Sequence, residues 1–250
     1  MANEEHDASR RKFLKNSGYA AGGFVGGGLL FGLIDNPFKS SDEDATKNDQ
    51  AERKFEESRM FFTRYKDFQV LEHATERIFP EDDNGPGAIK LGVPYFIDKQ
   101  LAGDFGSNKK DYMQGPVHRL KDREESIDTY QSLMNRGQVF IEGLRKINAE
   151  SEKRHDENFY DLEGDQQDTI LEELENDEIK IEGVRSRTFF NLLKKMTIEG
   201  AYSDPLYGGN KNMEGWKMTE FPGVRASYTD LIESDEFQKL EPMSLKDYQQ

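Results

Sequence analysis

EGVRSRTFFNLLKKMTIEGAY, residues 182–202, sets Val184, Phe189, Leu192, Leu193 and Met196 on one side of a 3.6-residue helix and leaves Arg185, Arg187, Lys194 and Lys195 around it. One apolar stripe ringed by cations is the pattern of a helix half-buried against a core. The same period recurs upstream. Ile127, Tyr130, Leu133, Met134, Phe140, Ile141, Leu144 and Ile147 predict a long amphipathic helix, with Gly137 on its apolar face where another helix can approach closely. Residues 165–174 predict a shorter helix. Phe55, Phe62, Tyr65, Phe68, Leu71, Thr75 and Ile78 share one face of a helix, or of two in tandem, that Pro80 ends. A further short helix over 94–101 follows Gly92 and opens on Pro94. No stretch alternates with period two. The expected fold is therefore all-α, an irregular bundle of about five or six helices with long loops.

The chain has 250 residues, which fits one domain of ordinary size. Its 49 acidic residues outnumber 34 basic ones, for a formal charge of −15. Nucleic-acid affinity rests on Lys and Arg displacing phosphate counterions, so a field of this sign argues against such a partner. Anionic lipid heads are repelled for the same reason. The absence of cysteine removes disulfides, thiolate metal sites, iron–sulfur clusters and covalent c-type haem.

Upstream of the bundle, SRRKFLK at residues 9–15 precedes 17 uncharged residues, Gly18 to Ile34, seven of them glycine. A basic head followed by an apolar run is the order of a signal peptide. Ser9, Arg10, Arg11, Phe13, Leu14 and Lys15 resemble the twin-arginine export signal, an address read by a receptor. The continuation DNPFKSSDEDATK offers no small-x-small cleavage site, so residues 1–34 read either as a removed signal or as an uncut anchor. Residues 35–52, poor in apolar side chains, read as an acidic flexible linker, and residues 53–250 as a single helical domain.

Searching that domain for chemistry finds little. His6, His73, His118 and His155 lie far apart and in no metal-ligand spacing, and no serine sits in a G-x-S-x-G frame. Carboxylate pairs such as Glu124-Glu125 and Glu172-Glu173 read as solvated helix faces. PEDDNGPG, residues 80–87, is a turn; in either glycine alignment a calcium loop would meet Pro80 at its first ligand position or Val93 at its closing one. GGFVGGG, residues 22–28, sits in the export head with no strand before it, so it is no dinucleotide fingerprint. The domain is thus expected to bind no metal and no cofactor of its own.

One irregular stretch remains, EGAYSDPLYGGNKNMEGWKMTEFPG, residues 199–223, with five glycines and the only tryptophan. It reads in two ways. Tyr207, Trp216 and Phe221 can fold back to cap the core, with Gly208 and Gly209 supplying left-handed turns. Alternatively Asp204, Tyr207, Gly208, Gly209, Asn210 and Trp216 form a contact loop for a partner, since aromatic side chains on a fixed backbone give large contact area at low entropic cost. The GGNK stretch lacks the ending of a phosphate loop.

Two separated stretches resemble the gluconate 2-dehydrogenase subunit 3 family. ATERIFPEDDNGPGAIKLGVPYFIDKQLAG, residues 74–103, is similar to a helix ending in Arg-Ile-x-Pro, an acidic PGA turn, Gly-Val and a Phe-Ile-Asp-x-x-Leu helix. TIEGAYSDPLYGGNKNMEGWKMTEFPG, residues 197–223, is similar to a block Gly-x-x-x-Asp-Pro-x-Tyr-Gly-Gly-Asn with a downstream Gly-Trp and Pro-Gly. Glu220 departs from it, standing where glycine is expected, and residues 108–138 carry little of the pattern. The resemblance implies a non-catalytic subunit of an exported complex. Its large partner would be an FAD-binding dehydrogenase of the glucose–methanol–choline type acting on a sugar or sugar acid, often with a cytochrome c subunit. It also implies help with the folding and twin-arginine export of that flavoprotein, to the outer face of the cytoplasmic membrane, with the twin-arginine translocase as a further partner. The other reading open at this level is a stand-alone extracytoplasmic binding or anchoring protein that uses the aromatic loop itself.

Overall fold

The computed structural model describes residues 57–111, 134–229, 231–233, 236 and 238–248. The expected signal or anchor, the linker, and the helical positions Phe55, Ile127, Tyr130 and Leu133 lie outside the described residues. Those described form six α-helices and no strand: α1 (Tyr65–Ile78), α2 (Val93–Ala102), α3 (Arg136–His155), α4 (Gly164–Glu175), α5 (Ser186–Ala201) and the short α6 (Glu214–Met218). The all-α expectation holds. Among the described residues no helix is long and apolar enough to cross a membrane.

Local sequence sets most of the ends. Pro80 follows α1, and Gly92, in the left-handed region at φ 74°, turns the chain into α2 with Pro94 in the first turn. Asn135 and Gln138 form a reciprocal capping box: the Gln138 N–H donates to Asn135 Oδ1 at 2.9 Å, and the Asn135 N–H donates to Gln138 Oε1 at 3.0 Å. Helix α3 therefore starts at Arg136, so Met134, counted on its apolar stripe, precedes it. Glu163 and Gln166 repeat the device at α4.

Helices α1, α3 and α5 each touch the other four long helices, and α2 and α4 both lie against α5. Their stripes meet in a core that holds Phe68, Leu71 and Ile78 from α1, Ile97 from α2, Phe140, Leu144 and Ile147 from α3, Ile170 and Leu171 from α4, and Phe189, Phe190 and Leu193 from α5. Burying one such side chain contributes about 1.5–3 kcal/mol, so this shared core is the main stabilising term.

Three expectations are corrected. Residues 57–64 are not helical, and Tyr65 stays 56% exposed. Phe62 reaches the core from an irregular segment because buried Asp98 of α2 accepts the main-chain N–H groups of Met60, Phe61 (3.1 Å) and Phe62 (2.8 Å). A buried carboxylate holding three donors fixes a chain that no helix holds. Gly137 admits the ring of Phe61 rather than a helix; Gly143 is the glycine at a helix crossing, where an added Cβ would stand 2.4 Å from the ring of Phe189 on α5. Residues 181–184 form a turn bridged between Ile181 and Val184, so α5 begins later than its apolar pattern, and Leu192 is only half-buried.

Candidate functional site

The two stretches singled out in the sequence are about a hundred residues apart along the chain, yet they pack on each other. Helix α2 lies along α5 because Gly200 leaves room for it: a Cβ there would meet Phe96 at 2.9 Å and Val93 at 3.1 Å. Beyond α5 the chain turns back over the start of α2. The Lys211 N–H donates to the Leu91 carbonyl at 3.0 Å, and Gly92 faces the Gly208 carbonyl. The Tyr202 ring meets Phe79 edge-on at 5.9 Å, and Met218 packs against Gly85 in the acidic turn.

Residues 202–223 are not the structureless loop that their glycines suggest. They contain 3₁₀ turns at Pro205–Tyr207 and Lys211–Met213, and then α6. Their backbone needs left-handed conformations, supplied by Gly208 (φ 95°), Asn210 (φ 46°), Asn212 (φ 56°) and Met213 (φ 58°). Gly209 is not one of them, contrary to expectation. It is small because its α-carbon lies against the Gly200 carbonyl, where a Cβ would stand 2.3 Å away. Gly215 is likewise pressed on the Ala201 carbonyl, where a Cβ would stand 2.0 Å away.

Among the predicted contact residues, the side-chain polar groups of Asp204, Asn210 and Trp216 are used inside the chain. Asp204 accepts the Leu206 N–H at 2.9 Å, the Ser244 hydroxyl at 2.9 Å and the Leu245 N–H at 2.8 Å. Asn210, fully buried, donates to the Ser203 carbonyl at 2.8 Å and accepts the Gly215 N–H at 2.7 Å. Trp216 is 4% exposed, donates Nε1–H to the Tyr202 carbonyl at 2.8 Å and meets Phe221 edge-on. Within GGNK, the Gly208 and Lys211 N–H groups donate to the Pro205 and Leu91 carbonyls. These residues build the surface. What the surface presents is Tyr207 at 49% exposure and Phe221 at 48%, with Ile198 and Tyr202 beside the turn.

The profile of the family described as Gluconate 2-dehydrogenase subunit 3 matches residues 65–223. The chain belongs to this family. No curated protein and no solved structure matches it. The subunit 3 match begins with the first residue of α1 and ends at Gly223, and it takes in both packed stretches. Membership makes this a chain of a multi-subunit dehydrogenase type, and in this chain the two stretches that carry the resemblance supply each other's backing.

Two residues of this subunit 3 chain were not legible as parts of the site. Glu76, from α1, holds the acidic turn from beneath: its carboxylate accepts the Ile89 N–H at 2.8 Å and the Glu81 N–H at 3.3 Å. Gly87 leaves it space, since a Cβ there would stand 2.0 Å from Oε1. Burial pushes the Glu76 carboxyl above the usual glutamate range, against the opposing pull of the two N–H donors. The folded state therefore holds this proton more tightly than the unfolded chain, and stability is lost as pH rises from the ordinary glutamate value of about 4.3 through the raised one. Glu76→Gln, which cannot ionise, is expected to flatten that part of the stability–pH curve; urea titrations between acid and neutral pH measure it. An unchanged slope would place the Glu76 carboxylate in water. The second residue is Glu220, whose φ of 54° is the conformation glycine adopts without strain. The glycine that the resemblance leads one to expect here would adopt this conformation freely, whereas this chain carries a strained glutamate in an exposed ion pair with Lys239 at 2.7 Å.

Proposed function

We propose that this chain is the non-catalytic small subunit of an exported FAD-dependent dehydrogenase of the glucose–methanol–choline type that oxidises a sugar or sugar acid. The observation that carries the reading is the joint surface of residues 74–103 and 197–223. Its buried polar groups are used to fix its own backbone, while Ile198, Tyr202, Tyr207 and Phe221 are left outside. Half-exposed aromatic side chains on a backbone this constrained suit a protein partner, because little freedom remains to be lost on docking. The carboxylates near the acidic turn suit acid–base chemistry poorly: Glu81 is paired with Lys90, and Glu214 with Lys217. FAD belongs to the large subunit in this reading, with a cytochrome c subunit as a further member of the complex.

The twin-arginine head, Ser9 to Lys15, then serves two chains. It addresses this subunit to the translocase and carries the folded flavoprotein with it to the outer face of the cytoplasmic membrane, where residues 18–34 serve as a signal or anchor. Purification of the chain from its native host is expected to bring down a flavin-containing large subunit. Deletion of its gene is expected to leave that flavoprotein in the cytoplasm. A chain that purifies alone, together with normal export of the neighbouring flavoprotein after the deletion, would overturn the proposal.

A further inference from the structure

Beyond the family-matched segment, residues 238–248 return to the 199–223 block and lie across its end. Met243 runs parallel to Gly223: the Met243 N–H donates to the Pro222 carbonyl at 3.2 Å, and the Val224 N–H donates to the Met243 carbonyl at 2.8 Å. Just beyond, Asp204 takes the Ser244 hydroxyl on one oxygen and the Leu245 N–H on the other. The Tyr248 hydroxyl accepts the Ala226 N–H at 3.2 Å and donates to the Val224 carbonyl at 3.3 Å. Gly223, at φ 71°, makes the seat: a Cβ there would stand 2.2 Å from the Met243 carbonyl oxygen and 2.8 Å from the Trp216 ring.

These contacts differ in kind from those that hold the bundle. The continuous apolar core ends at Ala201, with Met218 packed against it, and takes nothing from residues 238–248. Ser244 is the buried residue of that segment; Met243 and Leu245 stay half-exposed. Trp216 is buried outside the core cluster, among Tyr202, Phe221 and Gly223. Nor is the fit optimised, since the Nε of Arg225, whose guanidinium donates to the Glu241 carbonyl, is buried without a partner. A segment held by main-chain pairing, the Asp204 carboxylate and exposed polar contacts such as the Lys239–Glu220 pair, with little apolar burial, has a much lower opening free energy than the helices under it.

We propose that residues 238–248 are a strap seated by main-chain pairing in a slot made of Pro222–Val224 and the Asp204 carboxylate, and that it opens as a unit while the bundle stays folded. Its pairing mode is strand addition, in which the backbone supplies affinity and alternate side chains supply selectivity. Asp204 is the clasp because it alone joins the slot to two successive residues of the strap with charge-assisted bonds. Opening frees Asp204 and the backbone edge of Pro222–Val224, and uncovers the Gly223 side of Trp216, next to the surface to which a partner docks. Opening of the strap depends on the contacts of this chain alone and not on that partner.

Hydrogen exchange on the full chain tests it. Amides of 222–226 and 240–248 are expected to exchange together, at rates well above those of α1, α3 and α5. Asp204→Asn keeps one carbonyl oxygen for the Leu206 N–H but presents an amide donor to the strap. It is expected to raise exchange in both segments about tenfold to a hundredfold, the scale of losing charge-assisted hydrogen bonds, and to leave the three helices unchanged. Ser244→Ala, which removes one donor, should give a smaller rise in the same two segments. Strap amides that exchange only with the core helices would overturn the proposal. So would an Asp204→Asn variant that loosens the whole bundle, or one that leaves strap exchange untouched.

Discussion

Arg77→Ala is expected to lower the unfolding free energy by about 3–5 kcal/mol, the scale for removing one partner of a buried ion pair. Arg77, on the last turn of α1, meets Asp168 of α4 as a fork: Nε and Nη2 donate to the two carboxylate oxygens at 2.7 and 2.6 Å. The two side chains are only 10% and 14% exposed. The hydrogen bonds to Asp168 are the main reason why the guanidinium holds its proton more tightly than usual. Gly164, the first residue of α4, keeps the space open, for a Cβ there would stand 3.0 Å from Nη1. Without Arg77 the carboxylate stays buried between two helices and has lost its fork, which costs more than the pair itself contributes. Arg77→Lys keeps the charge but not the two parallel bonds and should fall between. Urea unfolding of the three proteins measures the series. A loss under about 1 kcal/mol for the alanine variant would mean that the pair behaves as a solvated surface bridge.

On the proposed function, replacing Arg10 and Arg11 together by lysine is expected to abolish export of this chain and, with it, of the proposed flavoprotein partner. Lysine preserves the charge of the basic head, so a loss must come from the planar, two-pronged donor geometry that lysine lacks. The residues lie outside the described part of the chain, and the prediction rests on SRRKFLK itself. Cell fractionation with detection of both chains reads it out. Retention of this chain alone, with its partner still exported, would show that the flavoprotein travels by its own address.

Much of the bundle was legible because helix period, proline and caps are local signals. Pro80 and Pro94 bracket the turn between α1 and α2, and the α5 stripe of Phe189, Leu193 and Met196 is buried as its spacing requires. Where the reading failed, a distant group had decided the outcome. Phe62 and Tyr65 carry the spacing of a helix face, but the fate of Phe62 is set by Asp98, thirty-six residues later. The cap at Asn135 was readable as Asn-x-x-Gln, yet the apolar run from Ile127 continues past it without a break. In the site, aromatic and glycine content singled out residues 199–223, whose backbone from Tyr202 onward indeed departs from regular helix. The division of labour within them could not be read, because it depends on Leu91, Ser244 and Leu245, which no periodicity connects to Asp204 or Lys211.

The run of left-handed residues from Gly208 to Met213 bears on the order of assembly. None of these conformations is favoured for Asn or Met in isolation, and the bonds that tie the run to the rest of the chain go to the Leu91 carbonyl ahead of α2, the Ser203 carbonyl beyond α5 and the Gly215 N–H of α6. The stretch therefore cannot take shape ahead of the bundle. In the proposed complex, a partner that reads this face is reading a certificate that folding is complete.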